Sequence, residues 1–102
     1  MLFICNQNQN RSKTAEELFK RTYHTKSAGL YNEKPVTSQQ LDWADVVIVM
    51  EEGQRHELAK RFPELYLQKR ILCLNIPDVY TYNNPQLIEQ LKSKINEVSE
   101  LF

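Results

Sequence analysis

This sequence predicts a single α/β domain with a parallel sheet, and three observations carry the prediction. Short apolar runs alternate with stretches of helical spacing along the whole chain. The richest run, Val46-Val47-Ile48-Val49-Met50, is continuous and mostly β-branched, which marks a strand covered on both faces. Strands separated by helices pack as a parallel sheet with helices on both of its faces, through right-handed crossovers. At 102 residues the chain suits one domain, 1–102, with one core.

Each element has its own signal. Leu2–Cys5 is a short apolar run that suits a buried first strand. From Ser12 a helical pattern begins, with Ala15, Leu18, Phe19 and Thr22 or Tyr23 on one face and a polar, acidic first turn. A brief second strand is expected within residues 24–30, ended by Gly29, and Tyr31–Pro35 reads as loop. Thr37 or Ser38 is placed to cap a short helix over Gln39–Ala44, with Leu41 facing inward. The Val46–Met50 strand follows. A helix over about Glu51–Phe62 is expected to stop at Pro63. Arg70–Asn75 is the fourth strand, and Ile76-Pro77-Asp78 a turn. Asn84-Pro85 opens the last helix, whose Leu87, Ile88, Leu91, Ile95, Val98 and Phe102 form an inward stripe. The expected order is four strand–helix pairs.

Composition narrows the function classes. Thirteen basic residues balance thirteen acidic ones, and like charges form no block, so a general nucleic-acid surface is not expected. Two cysteines, Cys5 and Cys73, make no disulfide framework, and no apolar stretch reaches the length of a membrane span. A cytoplasmic domain is the expectation. No cluster has metal-ligand spacing, and no cofactor is called for; the oligomeric state is not legible.

The chemistry concentrates in Cys5-Asn6-Gln7-Asn8-Gln9-Asn10-Arg11-Ser12, between the first strand and the first helix. A free cysteine in a small domain is ordinarily a buried, inert apolar residue. Here it stands at the mouth of a helix, six positions before an arginine. Helix N-terminus and guanidinium together stabilise a thiolate, while the loop N–H groups and Arg11 suit the oxygens of a phosphate. Ser12 can donate a hydrogen bond to the sulfur. The thiolate would attack phosphorus in line to give a cysteinyl-phosphate, which water then hydrolyses. The leaving oxygen needs a proton, and Asp78, in the turn after the last strand, is the best-placed acid; turn formation is its alternative role. In an open α/β sheet, ligands bind beyond the carboxyl ends of the strands, where Cys5–Arg11, Glu51-Glu52 and Asn75–Asp78 all fall. For Glu51 and Glu52, an acidic first helical turn is an equal explanation. His24 and His56 read as solvent-facing, Trp43 as a packing residue and Cys73 as core.

The stretch Leu2-Phe3-Ile4-Cys5 through Arg11-Ser12-Lys13-Thr14-Ala15-Glu16 resembles the opening of the low-molecular-weight protein tyrosine phosphatases, within them most a short bacterial branch of predicted phosphatases. Ser27-Ala28-Gly29, the strand ending Met50-Glu51, and Pro77-Asp78-Val79-Tyr80 follow in the family's order, so the likeness spans nearly the whole chain. It implies a four-stranded parallel sheet, Cys5 as nucleophile, Arg11 as phosphate clamp and Asp78 as general acid. It also implies that Asn8 adopts a left-handed conformation and bonds to Ser27, and that Tyr80 and Tyr82 line the pocket. A phosphate monoester, phosphotyrosine on protein in particular, is the implied substrate.

Four departures stand out. Gln7 replaces a glycine, Asn10 a second loop cysteine and Val79 a proline, and the Leu30–Thr37 region is short. Two other readings therefore stay open: a non-catalytic phosphate- or phosphoprotein-binding module, and an arsenate reductase, which needs further cysteines to carry a disulfide outward.

Overall fold

The computed structural model describes residues 1–102. Four parallel strands, β1 (Leu2–Cys5), β2 (Lys26–Gly29), β3 (Val46–Val49) and β4 (Arg70–Cys73), lie in the order β2-β1-β3-β4. Helices α1 (Arg11–Phe19), α2 (Ser38–Trp43), α3 (Glu52–Arg61), α4 (Pro63–Gln68) and α5 (Pro85–Val98) connect and follow them, and a 3-10 turn covers Ser99–Leu101. The expected four-stranded α/β fold with helices on both faces is therefore what the chain adopts.

Side-chain alternation along the two central strands builds two cores. Phe3 and Cys5 of β1, with Val46 and Ile48 of β3, pack against Ala15 of α1 and Leu87, Leu91 and Ile95 of α5. Leu2, Ile4, Val47 and Val49 face the other way, onto Leu41 of α2 and Leu58 of α3. Both strands are wholly buried, which is why they read as unbroken apolar runs. Burial of each large aliphatic side chain contributes roughly 1.5–3 kcal/mol.

Most element ends differ from expectation by a residue or two, and some readings are corrected: α5 ends at Val98, so Phe102 lies beyond the helix, although it still packs on the same core. Pro63 does not simply stop a helix: it occupies the first turn of α4, where its missing N–H costs nothing. The helix after Cys5 ends at Phe19, so Thr22 lies outside it, and Tyr23 packs edge-on against Phe102. Trp43 packs at the surface: it is 39% exposed, with the Lys26 ammonium 4.3 Å from its ring centre. Cys73 is only partly buried, because β4 is an edge strand. His24 and His56 are exposed, as expected.

Thr37 caps α2 with a reciprocal pair: its hydroxyl accepts from the Gln40 N–H, and the Gln40 side chain accepts from its own N–H. No helix is long and apolar enough to cross a membrane.

Candidate active site

The chain moves from β1 out to β2 and then crosses back to β3 on the other side of β1. That reversal opens a crevice at the carboxyl ends of β1 and β3. Cys5 ends β1, Glu51 and Gln54 follow β3, and residues 75–78 follow β4, so the crevice collects all three segments.

Residues 6–10 curve from β1 into α1. Asn8 turns the loop with φ of 54°, the left-handed region that asparagine tolerates better than most residues. The backbone N–H groups of Gln7 through Asn10 make no hydrogen bond within the protein, which leaves them for solvent or an anion. Asn10 occupies the N-cap position of α1 without a side-chain cap, so its side chain does not occupy the helix N-terminus. Asn6 anchors the loop at its start: its carbonyl accepts from Leu30 and Tyr31, and its side-chain oxygen accepts from Gln54 Nε2 at 3.1 Å. Gln54 is buried and also accepts from the N–H groups of Met50 and Glu51, tying the loop to the end of β3.

Cys5 lies at the floor, 3% exposed, its Sγ 2.9 Å from Ser12 Oγ. Ser12 Oγ in turn donates to Asn8 Oδ1 at 2.7 Å. One hydroxyl proton cannot serve both neighbours, so in this arrangement the Cys5 thiol donates to Ser12. Asn8, Ser12 and Cys5 thus form one hydrogen-bonded chain. The expected Asn8–Ser27 bond is absent: Asn8 Oδ1 accepts from Ser12 Oγ, and the Ser27 hydroxyl is taken by Glu16 Oε1, to which it donates at 2.6 Å.

Arg11 is 1% exposed, an unusual setting for a guanidinium, and three groups hold it. Its NH1 ion-pairs with Glu51 Oε1 and donates to the Ile76 carbonyl at 2.7 Å, while Nε lies 3.7 Å from Asp78 Oδ1. Asp78 is 56% exposed and, with Cys5, Gln7, Gln9, Asn10 and Arg11, lines a small cavity of about 40 Å³. Cys5, Arg11 and Asp78 thus meet in one place.

The remaining expected site residues are distributed differently. Tyr80 packs against the α1/α5 core and Tyr82 borders a separate depression with Gln9, Lys13, Glu16 and Glu17, so neither lines the cysteine cavity. Glu51, at the N-cap of α3 and ion-paired with Arg11, is the partner that the sequence left undecided. Only its position after the central strand could have pointed to it. A wider groove of about 460 Å³, lined by Glu51, Glu52, Asn75, Ile76, Pro77 and Asp78, adjoins the cavity through Asp78. No group of residues has the composition of a metal centre.

The sheet carries its cysteine–arginine loop at the switch point. The chain has the fold of the low-molecular-weight protein tyrosine phosphatases. No protein-family model matches the sequence, and a comparison with curated proteins finds no match. Solved structures do match. The tyrosine phosphatase Wzb from Escherichia coli K30, in complex with phosphate, superposes with a TM-score of 0.78 at 20% identity, over 99% of this chain and 96% of its own. A low molecular weight protein tyrosine phosphatase from Streptococcus pyogenes gives 0.76 at 17% identity, covering 99% of this chain and 91% of that one. The YwlE arginine phosphatase from Geobacillus stearothermophilus gives 0.65 at 21%, covering 98% and 85%.

Proposed function

We propose that this protein is a phosphomonoesterase working through a cysteinyl-phosphate on Cys5. The observation that carries the reading is the convergence of Cys5, Arg11 and Asp78 on one cavity at the mouth of α1. Likeness to solved tyrosine and arginine phosphatases supports the same class.

The phosphate enters with its non-bridging oxygens toward the loop N–H groups and the Arg11 guanidinium, which supply positive charge without a metal. Cys5 Sγ attacks phosphorus; the bond to the ester oxygen breaks, and that oxygen takes the Asp78 proton as it leaves. Asp78, now a carboxylate, accepts a proton from a water that attacks the phosphocysteine. Inorganic phosphate departs and the sulfur leaves as thiolate, stabilised by the Ser12 hydroxyl. Glu51 keeps Arg11 pointed at the cradle throughout.

Phosphotyrosine on protein is the substrate the resemblance implies. Disulfide relay of the arsenate-reductase kind finds less support, since Cys5 packs on one face of the sheet and Cys73 against the core on the other. The test is hydrolysis of para-nitrophenyl phosphate between about pH 5 and 8, with EDTA and reductant, by wild type and Cys5→Ser. Turnover that persists in EDTA and vanishes in the variant is the expected result. Phosphate binding by folded, reduced protein without any turnover would replace this reading with that of a binding module.

A further inference from the structure

Asp78 sits on an exposed stretch, Pro77–Val79, whose backbone makes no hydrogen bond to the rest of the protein. What holds an acid on such a stretch has to lie on either side of it. On the near side Ile76 is buried, its N–H donating to the Met50 carbonyl at 2.9 Å and its carbonyl accepting from Arg11. On the far side Tyr80 packs against the α1/α5 core, and the chain turns back through Asn83, which has φ of 60°. The Asn83 N–H then donates at 2.8 Å to the hydroxyl of Thr14, a wholly buried residue one turn after Arg11 on α1.

We propose that Thr14 is a positioning residue for Asp78, fixing the far end of the acid's segment to the helix that carries the phosphate clamp. This rests on the phosphatase reading above. Arg11 and Thr14 share one face of one helix, three residues apart, so helix α1 sets both the phosphate position and the reach of the acid. Thr14 touches neither substrate nor Cys5; it acts through the Asn83 backbone. Without the hydroxyl, the exposed Asn83 N–H turns to water, and residues 77–83 keep only the near anchor and the packing of Tyr80. The acid then spends less time within reach of the leaving oxygen, while the Cys5–Arg11 cradle is left as it was.

The experiment compares wild type, Thr14→Val and Thr14→Ser on a series of aryl phosphates whose leaving phenols span a range of acidity, reading kcat/KM. Valine matches the shape of threonine and removes the acceptor; serine keeps it. The expected result for Thr14→Val is a steeper fall of kcat/KM with rising phenol pKa, by roughly tenfold at the poorest leaving group and near unity at the best. Thr14→Ser should restore the wild-type slope. A uniform loss across the series, or an unchanged slope, would overturn the proposal, because lost packing lowers every substrate alike. Wild-type protein that is folded, reduced and inert toward the whole series would instead overturn the phosphatase reading, and this inference with it.

Discussion

Glu51 and Arg11, forty residues apart in sequence, form the ion pair that orients the buried guanidinium at the end of the sheet. The two sit after β3 and after β1, the strands that flank the crevice, so the pair follows from the strand order itself. Arg11 has several N–H donors in a rigid fork; NH1 is used on Glu51 and Ile76, and Nε faces Asp78. Replacing Glu51 by glutamine should keep the fold, since the side chain is half exposed, and lower kcat/KM by roughly 10- to 100-fold through misalignment of the clamp. Steady-state kinetics alongside circular dichroism checks this.

Ser12 is the one hydroxyl within reach of the sulfur. Ser12→Ala removes the donor that stabilises the leaving thiolate when phosphocysteine is hydrolysed. Turnover should slow by about 10- to 100-fold while the initial burst of phenol release survives, so that phosphoenzyme accumulates. Stopped-flow traces with a chromogenic aryl phosphate separate the two phases.

Gly29 ends β2 directly beneath the start of the loop. A Cβ there would lie 2.6 Å from Asn32 Oδ1 and 3.0 Å from the Asn6 carbonyl. The Asn32 side chain can swing aside; the Asn6 carbonyl cannot, because Leu30 and Tyr31 both donate to it. Gly29→Ala should therefore cost about 1–3 kcal/mol of stability and weaken phosphate binding by displacing Asn6. Thermal unfolding with and without phosphate measures both effects.

Cys73 gives a pH dependence of known sign. Burial pushes its thiol above the ordinary value of 9.0, and the nearby Glu52 carboxylate adds to the rise, against a lowering from Asn75 and Arg55. The folded state therefore holds the proton more tightly than the unfolded chain. This contribution to stability is complete below pH 9.0 and is lost as pH climbs from there through the folded value. Denaturant midpoints should fall above about pH 9, and less so for Cys73→Ala. An equal fall in both proteins would assign the alkaline loss to other groups.

The reach of sequence reasoning here follows from what each feature depends on. β1 and β3 were legible because strands buried on both faces leave an unbroken apolar run. The cysteine–arginine loop was legible because its residues are consecutive. α4 was missed because proline both stops one helix and opens the next, and Pro63 does both. The Glu51–Arg11 pair, the Gln54 tether to Asn6 and the Thr14–Asn83 bond join distant segments, and no local pattern announces such contacts. Cys73 reads as core on residue type alone, yet its place on an edge strand leaves it partly exposed. Ser27 was matched to Asn8 through a resemblance, and in this chain Glu16 takes its hydroxyl instead.

The central claim is that phosphate passes through Cys5. The most direct measurement is acid quenching of the protein during turnover of an aryl phosphate, followed by mass spectrometry of the peptide that carries residues 1–11. Ser12→Ala, in which the intermediate should persist, is the protein to use. One phosphoryl group on Cys5, absent from Cys5→Ala, is the predicted result. Steady turnover with Cys5 unmodified at every quench time, or with phosphate on another residue, would contradict the account.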